Sequence, residues 1–69
     1  VGDRFTEETT LGNLGAAYQA ANEFRRAIEC YAEQLQIAEE IGDATGAANA
    51  LMNAGNAHFY LGETPPALI

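Results

Sequence analysis

Apolar residues in this chain fall at spacings of three and four. Between Asp3 and Ala21, Leu11, Leu14, Tyr18 and Ala21 share one stripe, which predicts an amphipathic helix. Asp3 and Thr6 are both suitable N-caps, and Glu7 and Glu8 suit the positive end of the helix dipole. Asn22 should close this helix, because asparagine tolerates the left-handed conformation that helix ends often need. Phe24, Ala27, Ile28, Tyr31, Leu35 and Ala38 form a second stripe, predicting a helix to about Ile41, roughly 18 residues or five turns. Gly42 stops it. A third helix is expected from about Ala44 to Leu61, with Gly46 costing about 1 kcal/mol relative to alanine, tolerable near an N-terminus. Thr64, Pro65 and Pro66 then either open a fourth helix near Pro66 or begin a disordered tail.

The pattern repeats. Val1-Gly2-Asp3 returns as Ile41-Gly42-Asp43, and at the same offset of forty Leu11 matches Leu51, Asn13 matches Asn53, Gly15 matches Gly55 and Ala17 matches Ala57. Glu23 and Glu63, and Ala27 and Ala67, complete the identities, so 8 of the 29 pairs this offset permits are the same residue. A fixed period of this size indicates stacked supersecondary units, each too small to bury its apolar face alone. The repeat also favours Asp3 as the first N-cap, since Asp43 holds the equivalent place.

Composition sharpens this picture. At 69 residues, one small core supplies only about 3–5 kcal/mol of net stability. One cysteine (Cys30) and one histidine (His58) can form neither a disulfide framework nor a structural metal site, so support is expected from neighbouring repeats or a second copy. Three arginines and no lysine against ten acids give a net charge of −7, which repels a phosphate backbone and disfavours anionic membranes. Nucleic acid and membrane are therefore not expected partners, and no apolar run reaches the roughly 18–20 residues of a bilayer span. A lone thiol fits a reducing compartment, giving a cytoplasmic expectation. A start without methionine and an end at the opening of a new helix lead us to expect a fragment of a longer array.

Leu11, Asn13-Leu14-Gly15, Ala17-Tyr18, Phe24, Ala27-Ile28, Tyr31 and Leu35 together resemble the tetratricopeptide repeat. The resemblance implies an all-α fold of antiparallel helix-turn-helix units, stacked as a fragment of a right-handed superhelical solenoid. It spans residues 1–69 as one unit, with a full repeat at 3–42 and a partial second repeat at 43–69. Leu14, Gly15, Tyr18, Ala27, Tyr31, Gly55 and Ala67 fall on its structural positions, with Gly15 and Ala27 as the close-contact pair. The period exceeds the usual 34 residues. That excess is similar to the long-repeat variant of Pins-type spindle adaptors, kinesin-light-chain-like proteins and bacterial multi-repeat signalling proteins. The second copy departs from the pattern, with His58, Thr64 and two prolines replacing Tyr18, Phe24, Arg25 and Arg26.

In such repeats the first helix of each unit lines a concave groove that receives a partner's peptide or helix. Carried across, the groove residues are Thr9, Gly12, Ala16, Gln19 and Ala20, then Asn49, Met52, Asn56, Phe59 and Tyr60, with the hot spot expected at Met52, Phe59 and Tyr60. The amides of Asn13, Asn53 and Asn56 can read a peptide main chain; for Asn13 and Asn53 a tie between neighbouring helices is the alternative. No basic residue stands in the groove to clamp a carboxylate. Glu29, Glu33, Glu39 and Glu40 on the second helix read as a solvated face or as steering for a basic partner, and Arg25 and Arg26 are placed to pair with Glu29.

Catalysis is not expected. The only conceivable trio is Cys30, His58 and an acid, and the simpler reading makes Cys30 an inert filler and His58 a packed helix residue. No cofactor or metal is implied. Two functions follow: a protein-interaction scaffold, or a module that self-assembles as a homodimer or helix-exchanged oligomer through the uncovered face of the third helix.

Overall fold

A computed structural model of the chain describes residues 3–62. It holds three α-helices and, among the described residues, no strand: α1 (Arg4–Ala20), α2 (Phe24–Ile41) and α3 (Ala44–Leu61). All three coincide with the periodicity to within a residue. The fourth-helix expectation, Ala67 included, lies outside the described residues.

Each boundary has a local cause. Asp3 caps α1: its carboxylate accepts hydrogen bonds from the backbone N–H of Phe5 and Thr6 and from the Thr6 hydroxyl. Those donors, the Thr6 hydroxyl foremost, hold its pKa below the usual carboxylate value. At the far end Asn22 takes φ of 64°, and the Glu23 N–H reaches back to the Tyr18 carbonyl at 2.8 Å, which closes the helix as a Schellman turn. Gly42, at φ of 74°, closes α2 in the same way, with the Asp43 N–H on the Ala38 carbonyl at 2.8 Å. Asp43 then caps α3 through the Gly46 N–H at 3.0 Å. The two aspartate caps thus stand forty residues apart.

α2 lies between the other two helices, packing along both, whereas α1 and α3 barely touch. The core forms where all three approach: Ala27, Tyr31 and Ala57 are buried, with Tyr18, Phe24, Ile28 and Ala54 packed around them. A Cβ on Gly15 would fall 2.6 Å from Tyr31 Cε1, so this glycine admits the tyrosine ring. The three atoms nearest a Cβ built on Gly15 belong to Tyr31, and Ala27 fills the centre beside that ring. The buried arc of α2 is broader than one stripe, because two helices cover it. It takes in Cys30, Gln34 and Ile37, while Leu35 is half-buried. On α1, Leu14 is 43% exposed, so the Leu11–Leu14–Tyr18–Ala21 stripe is only partly covered.

Ion pairs fasten the rim. Arg4 contacts Glu7 at 2.8 Å and also Glu40, joining the start of α1 to the end of α2, and these carboxylates raise its pKa, Glu40 foremost. Arg26 pairs with Glu23 at 3.6 Å and lies 5.9 Å from the Tyr18 ring centroid, so its partners are these and not Glu29.

Candidate functional site

The separation of α1 from α3 leaves a trough between them, floored by α2. Its wider end is a cavity of about 540 Å³ lined by residues of all three helices. α1 contributes Phe5, Glu8, Thr9, Gly12, Asn13 and Ala16, while Asp43, Thr45, Gly46, Asn49 and Asn53 face them from the start of α3. Gln34 of α2 is the floor. A second cavity of about 420 Å³ continues the trough past Ala16 and Asn53 to Gln19, Ala20, Tyr31, Phe24 and Tyr60.

Of the residues proposed from sequence, Asn13, Gln19, Asn49, Asn53 and Tyr60 line this trough, as do the small residues Thr9, Gly12, Ala16 and Ala20. Asn49, Asn53, Asn56 and Tyr60 share one helical stripe, but Asn56 is exposed and lines neither cavity. Met52 and Phe59, 60% and 73% exposed, lie further round α3 and also line neither. Tyr60 stacks on Phe24, with ring centroids 5.5 Å apart, and meets Phe59 edge-on at 5.7 Å. Gln19 accepts a hydrogen bond from the buried Tyr31 hydroxyl at 3.1 Å, so its oxygen supports the fold as well as the trough. Gly55, the counterpart of Gly15, has no atom of the described residues within 4 Å of a Cβ added to it.

Two buried polar residues of the trough, Glu8 and Gln34, were not singled out from sequence as site residues. Glu8, read from sequence only as suiting the positive end of the α1 dipole, is 3% exposed. It reaches across to the first turn of α3, where a Cβ on Gly46 would fall 1.7 Å from Glu8 Oε2 and 2.5 Å from Asp43 Oδ2. Gly46 is therefore what admits the carboxyl group beside Asp43. Burial, with a hydrogen bond to Asp43 and that group's charge adding to it, pushes the Glu8 pKa up. Gln34 is 7% exposed and packs against Gly12, where a Cβ would lie 3.0 Å from Gln34 Nε2. Glu8 Oε1 and Gln34 Oε1 are both buried without a hydrogen-bond partner among the described residues. The available signal was the glycines, Gly12 and Gly46, each opposite a polar side chain on another helix.

A larger cavity of about 780 Å³ lies on the other side of α1, between Asp3, Arg4, Thr6, Glu7, Thr10, Leu11, Glu33 and Ile37. Within it Arg4 pairs with Glu7, and the Thr6 hydroxyl donates to Asp3. Cys30 is buried, and burial, with Glu33 and Glu29 adding to it, raises its pKa, which favours the thiol over the thiolate. His58 is half-buried on α3, as expected of a packed helix residue. Among the described residues no group of three or more His, Cys, Asp or Glu is placed to hold a metal ion, and no helix is long and apolar enough to cross a membrane.

Helix-turn-helix units capped at a fixed interval, with a small residue admitting a large one at the crossing, define an all-α helical-repeat protein. A family profile for the tetratricopeptide repeat matches residues 6–69, nearly the whole chain, and the chain belongs to that family. No curated protein and no solved structure matches it. Tetratricopeptide repeats generally mediate protein–protein interaction and are typically not enzymes.

Proposed function

We propose that this chain is a protein-interaction module that receives a peptide or helix of a partner in the trough between α1 and α3. One observation carries the reading: the trough is walled by small residues and free-standing amides, Asn13, Asn49 and Asn53, and closed at one end by the Phe24–Tyr60 stack. Small residues leave room for a main chain, the amides can both donate and accept, and the aromatic pair offers an apolar anchor. Residues 3–42 act as a full repeat and 43–69 as part of the next, and the forty-residue spacing of the caps supports the long-repeat variant. In a cytoplasmic array, further units would extend the trough along a superhelix.

Asn49→Ala and Tyr60→Ala are expected to weaken partner binding by about tenfold or more each, as a lost hydrogen bond or anchor does at an interface centre. Helicity measured by circular dichroism should stay unchanged. Loss of helicity in both variants, with no separable binding defect, would overturn the reading.

The exposed side of α3 favours a second reading. Leu51, Met52 and Phe59 are 59%, 60% and 73% exposed, an apolar face that a second copy could bury in a homodimer or helix-exchanged oligomer. Light scattering over a dilution series separates the two. A monomer at tens of micromolar removes the assembly reading and leaves the interaction reading standing.

A further inference from the structure

Resting on the trough as the binding surface, we infer that its wider end is a socket for a basic side chain, arginine or lysine, of the partner polypeptide. The juxtaposition is Glu8 from α1, Gln34 from α2 and Asp43 at the start of α3, all lining one cavity of about 540 Å³. Buried polar groups are normally paired, and these are not: Glu8 Oε1 and Gln34 Oε1 are acceptors without donors, in residues 97% and 93% buried. These two oxygens lack a donor, and among the described residues no positive charge lines the cavity. Among side chains only the basic ones bring both, and a guanidinium brings five N–H groups in a plane.

Among the described residues the chain does not fill the need itself. No basic residue lines either cavity of the trough, Arg4 is engaged with Glu7 and Glu40 on the far side of α1, and Arg26 is engaged with Glu23 and Tyr18 at the start of α2. The glycines hold the space open. A side chain at Gly46 would collide with Glu8, and one at Gly12 would press on Gln34. The cavity volume falls within the roughly 300–1,000 Å³ of ligand sites, and a chain of net charge −7 draws a cationic segment towards it. The charge pattern is opposite to a basic groove that clamps an acidic terminus.

The test is selection of random peptides of about twelve residues on the full 69-residue chain, followed by anisotropy titration of the selected peptides. Enriched sequences should share an arginine or lysine at one register. Replacing that residue with methionine should weaken binding to the unaltered chain by about tenfold or more, as loss of a charge-assisted hydrogen bond does. Glu8→Gln in the chain should weaken the parent peptide similarly and leave the methionine peptide unaffected, a coupling that simple misfolding does not produce. Enriched peptides without a shared basic residue, or indifferent to its replacement, overturn the socket; if Asn49→Ala and Tyr60→Ala still weaken them, the trough reading survives. Peptides indifferent to those two variants as well, or no enrichment at all, overturn both.

Discussion

Two glycines one repeat apart meet opposite surroundings. At Gly15 the Tyr31 ring leaves no room for a methyl group, whereas among the described residues nothing approaches Gly55. Gly15→Ala should therefore destabilise the chain by about 1–3 kcal/mol through overpacking, offset in part by alanine's helix propensity. Gly55→Ala should stabilise it by up to about 1 kcal/mol. Urea melts of both variants check the pair, and a destabilised Gly55→Ala would overturn the contrast.

Two acids titrate with opposite consequences. The lowered pKa of Asp3 makes its ionisation favour the fold, so the destabilisation caused by Asp3→Ala is full above the usual carboxylate value. It fades as pH falls through the lowered one. For Glu8 the pKa is raised, so its ionisation opposes the fold: the cost is absent below the usual value and complete above the raised one. Glu8→Gln should thus stabilise the chain at about pH 7 and lose that advantage on acidification to about pH 3.5. Urea melts of each variant and the parent at both pH values test the two signs.

At the scale of the helices, termini decide more than interiors. Asn22 and Gly42 both sit at positive φ and close their helices with Schellman turns, but only Gly42 does so without a side-chain penalty. Asn22→Gly should be neutral or slightly stabilising, and Gly42→Ala should cost about 1 kcal/mol, read from thermal melts. Such signals made the elements legible in sequence: capping aspartates, a left-handed asparagine and glycine, and apolar spacing of three and four name each helix by short-range rules. Burial was less legible. Leu14 and Leu35 fit a helical stripe but are half-exposed and half-buried, because which arc is covered depends on where α1 and α3 lie against α2. The trough divides in the same way. Asn13, Gln19, Asn49, Asn53 and Tyr60 follow from the exposed face of a first helix, whereas Glu8 and Gln34 join it only through contacts across helices.

The whole molecule has little stability to spare. A core centred on Ala27, Tyr31 and Ala57, in a chain of 69 residues, leaves about 3–5 kcal/mol in hand. Truncating the 2% exposed Tyr31 to alanine removes about that much and should abolish the cooperative melt. Tyr31→Phe, which deletes only the hydroxyl donated to Gln19, should cost about 1 kcal/mol and keep the fold.

Because α1 and α3 are joined almost wholly through α2, the middle helix works as a spacer whose side chains set how far apart the two walls stand. Bulk added to α2 beneath either wall would act as a shim, changing the calibre of the opening while its amides and acids stay in place. On the proposed reading of the trough as a binding surface, affinity for slim or stout guests is adjustable from positions beneath the walls.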